Sequence, residues 1–491
     1  MKRLTDKMFY KYLRCPHWVY WDLYGGADER REENELLEKI REHSVLRKEE
    51  YLAAFPEAET VPEDADEEER FRLTVELMKK GSPAIFRGRL MDGNWVGTPD
   101  ILVKQPAPAG TVSRFGGWLY VPYVIKSAVI VEEKDLRDEY RFELAFYALI
   151  LEKLQGLRPE DGFVVAADKT VHGVLIDPVL NDFHLTLREI EKILNGRKPA
   201  PFLSSSCKES PWFAECRREA EACDDICLIY KIRRPDHAKL YEAGIKTVSE
   251  LAGMDPGALE RAVPDMSRRK LEMLRRQARS LRDKTIIVIQ KPEFPTGGPE
   301  YYFDIEGDPL RNAQYLFGLL TVKSPRAKGV YDYALAENPE DEKKAWLSFL
   351  DLVKNIPDRA PVYHYGTYEK TVVARFAELY GGDAATLEKL KNNLFNLLPV
   401  VCEAAALPVY FYSLKDIAKE FGFKWRNKAA SGANSILWYE DYLRLGASGK
   451  KGDRTKAKKI LKDIVAYNED DVRATLFLKR RLERLPEPED L

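Results

Sequence analysis

Asp304 and Glu306 stand two residues apart in the run Tyr301–Gly307, Tyr-Tyr-Phe-Asp-Ile-Glu-Gly. On a strand, residues two apart share a face, so both carboxylates point one way while Phe303 and Ile305 point into a core. Neighbouring carboxylates repel, and a hard divalent cation such as Mg2+, which prefers oxygen ligands, neutralises such a pair. A second set lies in Ile464–Thr475, Ile-Val-Ala-Tyr-Asn-Glu-Asp-Asp-Val-Arg-Ala-Thr. On a helix Tyr467 and Asp471 are four apart and share a face, and Ile464, Val465 and Val472 set one flank of it against a core. Each set alone also fits a solvated strand or helix surface.

Three further groups have the types for chemistry. Asp100 follows Pro99 on one expected strand, and Lys126 lies on the next. Four of the six cysteines, Cys207, Cys216, Cys223 and Cys227, fall within 21 residues, with Cys15 and Cys402 elsewhere. Clumped thiols in a large chain point to a metal or cluster site more than to a disulfide frame. Ser267–Lys284 carries eight Lys or Arg, among them Arg268, Arg269, Lys270, Arg275 and Arg276, against Glu272 and Asp283. A helix this basic suits phosphates, although a solvated face fits it too.

The elements that must hold these residues follow from periodicity. Strands are expected at Trp95–Lys104 and Gly162–Ala167, a strand pair or one long strand at Trp118–Val131, a loop at Gln105–Gly117, and a helix at Asp138–Gln155. The organisation is an α/β multidomain chain: an α/β segment 1–200, a cysteine-rich stretch 201–230, a helical middle 231–285, and a strand-then-helix segment 296–491. The sequence Pro-Thr-Gly-Gly-Pro at 295–299 is the clearest linker. The 491 residues suffice for two to four domains. With 78 Lys+Arg against 80 Asp+Glu, the net charge of −2 excludes a uniformly basic coat but not local basic patches. No apolar run reaches the length of a membrane helix, and the start lacks a signal-like apolar stretch, so a cytoplasmic location without membrane contact is expected.

Taken together, Asp-x-Glu on an early strand and Tyr-x3-Asp on a late helix resemble the DEDD exonucleases of the ribonuclease H-like superfamily, in their tyrosine variant. The middle motif of that group matches Tyr368-Glu369 in Val-Tyr-His-Tyr-Gly-Thr-Tyr-Glu, with Glu in place of Asp. Tyr412–Gly422 resembles the helix preceding the last motif in the YprB-like branch. The resemblance implies Asp304, Glu306, Glu369 and Asp471 as ligands of two Mg2+ or Mn2+ ions, with Tyr467 orienting or helping to deprotonate the attacking water. His364, five residues before Glu369, reads as a structural histidine.

The first segment resembles the PD-(D/E)xK nucleases of the RecB-like branch through Leu13-Arg14-Cys15-Pro16, His43, Pro99-Asp100, Lys126 and Tyr147. Two residues before Lys126, where that family has a carboxylate, stands Val124. Glu143, on the following helix, is a candidate replacement. Cys15, Cys207 and Cys216, with Cys223 or Cys227, resemble the iron–sulfur clasp of that branch. Ser210 stands where one cysteine is expected, so a [4Fe-4S] cluster, zinc and plain thiols all stay open. Leu240–Ala252 resembles the second half of a helix-hairpin-helix unit.

The order of segments resembles RecB-family nucleases carrying a YprB-like C-terminal domain. It implies a metal-dependent nuclease, an exonuclease in type, acting on DNA or RNA, with the chemistry in the C-terminal segment. A non-catalytic nucleic-acid-binding scaffold is the alternative, resting on Val124, Ser210 and Glu369. A polymerase-associated proofreading module is a weaker one, since no polymerase segment is present.

Overall fold

The computed structural model describes residues 2–26, 30, 35–53, 55–127, 130, 135–295, 298–309, 311–324, 327–427 and 432–488. The chain forms two compact units, Met1–Glu219 and Ala220–Leu491. The cysteine-rich stretch is thereby divided: Cys207 and Cys216 belong to the first unit, Cys223 and Cys227 to the second. Thr296 and Gly297 of the expected linker lie outside the described residues.

The first unit is built on a six-stranded mixed sheet. Its central strands are β1 (Ile101–Pro106) and β2 (Trp118–Ile125), paired antiparallel. The chain leaves β2, runs through the long helix α1 (Asp138–Gln155) and returns as the parallel strand Asp161–Val165. Leu144, Ala145, Phe146 and Ala148 on α1 are buried, as a helix lying over a sheet requires. Trp95–Lys104 is not one strand. Trp95–Gly97 joins a separate three-stranded sheet with Leu4–Thr5 and Leu90–Asp92, and β1 begins only at Ile101. Pro99 has no N–H for a ladder, and the Asp100 carboxylate accepts the Ile125 N–H at 2.6 Å, so the chain turns between the two sheets there. The strand expected over Trp118–Val131 ends at Ile125, and residues 128, 129 and 131 lie outside the described residues.

The second unit opens with short helices, Arg234–Glu242, Val248–Gly253 and Pro256–Ala262, followed by α2 (Arg268–Asp283). Gly244, in the turn between the first two, has φ +82°, a left-handed conformation that glycine adopts at no steric cost. The chain then pairs Ile287–Val288 with Ala405–Ala406 and enters a five-stranded sheet. The sheet comprises β3 (Glu300–Asp308), β4 (Ala313–Val322), β5 (Val330–Leu335), β6 (Val362–His364) and β7 (Leu394–Asn396), ordered β5-β4-β3-β6-β7. The β3–β4 and β4–β5 pairs are antiparallel, and β3–β6 and β6–β7 are parallel.

Helices follow as α3 (Tyr368–Leu379), α4 (Leu414–Glu420), α5 (Gly432–Ala447) and α6 (Lys451–Leu482). The alternation of β3 sets the layers. Tyr301, Phe303 and Ile305 join Phe317, Trp346, Phe349 and Phe376 in one core. Tyr302 packs on the other face with Leu320, Val472 and Leu476, beneath α6. Asp304 and Glu306 share the parity of Tyr302 and therefore face α6.

Candidate active site

β3 brings Asp304 and Glu306 under α6, and α6 turns Tyr467, Asn468 and Asp471 towards them. Asp304, Glu306 and Asp471 each offer a carboxylate oxygen, and these oxygens lie within 4.8 Å of one another. Glu306 and Asp471 are buried. Three carboxylates this close and this poorly hydrated resist ionisation. Burial and the charges of Glu306, Asp471 and Glu369 raise Asp304 well above the usual carboxylate range. Burial and Asp471 push Glu306 up to about 8. Burial raises Asp471 also, against the pull of the Lys415 ammonium and a hydrogen bond from Trp425.

Neutral and cationic donors frame the three acids. Asn468 Nδ2 donates to Asp304 Oδ2 at 2.7 Å and to Glu306 Oε1 at 3.4 Å. Tyr331, on β5, donates its hydroxyl to Asn468 Oδ1 at 2.8 Å and fixes the amide's orientation. Trp425 Nε1 donates to Asp471 Oδ1 at 2.6 Å. Lys415, on α4, donates to the Tyr467 hydroxyl at 2.9 Å, and that hydroxyl hydrogen-bonds to Asp471. Burial and the charges of Glu306, Asp471 and Asp304 keep the Tyr467 phenol protonated far above its ordinary range.

The sequence pattern fits this arrangement down to a glycine. Gly318 on β4 lies opposite Asp304. A Cβ there would stand 1.8 Å from Asn468 Oδ1 and 2.8 Å from the Tyr331 hydroxyl. Gly318→Ala is expected to displace Asn468 and to cost about 1–3 kcal/mol of stability by overpacking. Thermal melts check this; a wild-type melt would show that Asn468 does not need that space.

Glu369 is buried in the first turn of α3 and lies outside the 4.8 Å group. Its Oε2 is 3.2 Å from His364 Nδ1, and both residues are buried. Lys415, Asn468 and Trp425 were not among the residues expected from sequence. Lys415 lies in the Tyr412–Gly422 segment already singled out, and Asn468 follows Tyr467, so both had a positional signal; Trp425 had none.

In the first unit, Asp100, Lys126, Glu143 and Tyr147 come together differently. Lys48 Nζ lies 2.6 Å from Asp100 Oδ1, and Lys126 Nζ lies 2.5 Å from Glu143 Oε2. Burial works against the Lys126 ammonium, yet Glu143 and Asp100 outweigh it and hold its pKa above the ordinary value. Tyr147 donates to Asp6 at 2.9 Å. Burial and the Glu143 charge push Asp6 up to about 6. Asp6 is a member that the sequence did not flag. Val124 is wholly buried in the core. His43 lies half-buried on the helix Glu35–Leu52. Among the described residues no three-ligand group forms around Asp100.

The basic helix α2 is largely engaged within its own unit. Arg275 is buried and, with Arg276, pairs with Glu272. Lys270 pairs with Asp236, and Arg268 with Glu260 at 3.0 Å. Arg269 is exposed. Of the five cations expected to meet phosphates, Arg275 is therefore turned into the protein, because α2 also buries Leu271, Leu274, Ala278 and Leu281 on that side.

Among the described residues no helix is long and apolar enough to cross a membrane. Residues 301–483 match the family model RNase_H_2, of the RNase_H superfamily, so the second unit contains a ribonuclease H-like domain over that span. A comparison with curated proteins gives no match.

Proposed function

We propose that the chain is a divalent-metal-dependent nuclease, an exonuclease of the DEDD tyrosine type, whose reaction takes place in the ribonuclease H-like domain. The observation that carries this is the crowding of Asp304, Glu306 and Asp471 within 4.8 Å under α6, inside the span of the family match. The donor set fits the metal. All three ligands are carboxylates, which suit Mg2+ or Mn2+, and their mutual repulsion is what a divalent ion relieves. Such ions supply charge for the attacking and leaving oxygens of a phosphodiester displacement. Glu369, beside His364, is the fourth acid of the set and would help to hold a second ion.

The chain's own residues divide the remaining work. Asn468 orients Asp304 and Glu306 from above. Lys415 and Asp471 fix the Tyr467 hydroxyl between them. Held in that way, Tyr467 is placed to orient the attacking water or to help deprotonate it. Nucleic acid is the substrate class, and α2 offers it Arg268 and Arg269 at the surface. The test is cleavage of labelled single- and double-stranded DNA and RNA with Mg2+ or Mn2+. Absence of cleavage on all four substrates would remove this reading.

The scaffold alternative retains support in the first unit, where Lys48–Asp100 and Lys126–Glu143 neutralise the acids internally. We propose a RecB-like fold there with a structural or binding role. Lys126→Met is expected to leave cleavage by the full chain unchanged. It is expected to lower stability by about 3–5 kcal/mol, because Glu143 loses its partner. Denaturant unfolding and the nuclease assay on the same preparation check both halves.

A further inference from the structure

Cys15, Cys207, Cys216 and His17 are all buried within the first unit. Cys15 and His17 sit at the start of the helix Pro16–Tyr24, Cys207 in the short turn Ser205–Glu209, and Cys216 in the helix Phe213–Ala222. The Cys15 and Cys216 sulfurs and a ring nitrogen of His17 lie within 4.8 Å of one another. The Cys15 thiol also hydrogen-bonds with Cys207.

These residues do not fit the four-iron cluster suggested by the cysteine spacing. The residue standing for the missing cysteine, Ser210, uses its hydroxyl to accept the Trp212 N–H at 3.1 Å. In a four-iron cluster each thiolate holds a different iron, so the sulfurs stand well apart. Around one tetrahedral ion with metal–sulfur bonds of about 2.3 Å, they stand about 3.8 Å apart. Cys15 is in hydrogen-bonding contact with both Cys207 and Cys216, although Cys207 lies outside the 4.8 Å group, and thiols this close match the single ion.

His17 is prepared as the fourth donor. Its Nε2 lies 2.8 Å from the Pro199 carbonyl, which can only accept, so the ring proton sits on Nε2 and Nδ1 keeps its lone pair. A backbone carbonyl on the far nitrogen is the usual outer support of a metal-bound histidine. The Ser204 N–H donates to the Cys207 sulfur at 3.4 Å, a contact a metal-bound thiolate would keep, while the free thiol donates to the Phe202 carbonyl at 3.6 Å.

We propose that Cys15, His17, Cys207 and Cys216 form a structural Cys3His zinc site, with His17 in the place of the cysteine lost at Ser210. Four protein ligands leave no open position, so the site carries no hydrolytic chemistry. The ion joins residues 15–17 to residues 207–216 and closes a loop of nearly the whole first unit, where a cross-link restricts the unfolded chain most.

The test uses the full chain carrying Asp304→Asn and Asp471→Asn, so that the C-terminal acids do not contribute to the metal count. Cells are grown with both zinc and iron, and the protein is purified anaerobically for elemental analysis. One zinc per chain and negligible iron are expected, and Co2+ exchange should give the visible bands of a tetrahedral cobalt–thiolate centre. His17→Ala should lose the zinc, whereas His17→Cys and Cys223→Ser should keep it. Brown protein with iron and sulfide overturns the proposal, as does free-thiol reactivity of these cysteines with no bound metal. So does zinc that survives His17→Ala but not Cys223→Ser. If His17→Ala fails to fold, the metal content and cobalt spectrum of the chain retaining His17 still decide.

Discussion

Asp304→Asn or Asp471→Asn is expected to lower metal-dependent cleavage by at least about 100-fold. Even the outer partners of a metal site are worth about 10–100-fold, and these residues are the proposed ligands themselves. The amide keeps the size of the carboxylate and removes its charge. For that reason the substitution separates loss of chemistry from loss of fold. In metal-free buffer the variants should melt no lower than the native chain, since each removes one of three mutually repelling acids. Cleavage rates over a titration of Mn2+, beside melts in EDTA, make the measurement. Full activity in the Asp304→Asn, Asp471→Asn chain would place the reaction elsewhere.

The second large effect is on stability against pH. Burial and neighbouring charge raise all three acids, Glu306 to about 8 from 4.5. Between about pH 4.5 and 8 the folded metal-free protein therefore holds protons that the unfolded chain has released. Stability is fully present below the unfolded pKa and falls as pH rises through the folded one. At about 1.4 kcal/mol per unit, Glu306 alone accounts for several kcal/mol across that window. Divalent metal binds the ionised form, so its stabilisation should grow over the same range. Melts from pH 5 to 8.5 should fall steeply in EDTA and much less with Mn2+. Glu306→Gln should flatten the EDTA profile and lose most of the response to metal. A flat EDTA profile for the native chain would mean that the three acids do not crowd in solution.

The separation of metal roles follows from donor chemistry. The acids of the second unit offer hard oxygen donors, which suit the proposed exchangeable Mg2+ or Mn2+, whereas the buried thiols and His17 offer borderline-soft donors, which suit the proposed zinc. EDTA at neutral pH is thus expected to reach the first before the second, because the thiol site is closed and buried.

Sequence alone determined the parts of this protein that depend on local periodicity. Two-residue spacing placed Asp304 and Glu306 on one face of β3, and four-residue spacing placed Tyr467 and Asp471 on one face of α6. Both hold because strand and helix geometry fix side-chain direction whatever the element packs against. The same reasoning placed α1 at Asp138–Gln155, bounded by Gly156 with its left-handed φ of +77°.

Tertiary structure alone decided what meets those faces. Lys415, Trp425 and Asn468 reach the acids through packing, although Lys415 and Asn468 lay in or beside segments the sequence had singled out and Trp425 did not. Gly318 is small because a side chain 150 residues later needs its space. Lys48 faces Asp100, and Arg275 turns inward, because each answers a buried partner or core that no local pattern encodes. His17 meets Cys216 only through the folding of residues about 200 apart. Such contacts are set by packing at long sequence separation, where neighbouring residue types carry no information about the partner, and there the reading of residues in order necessarily stopped.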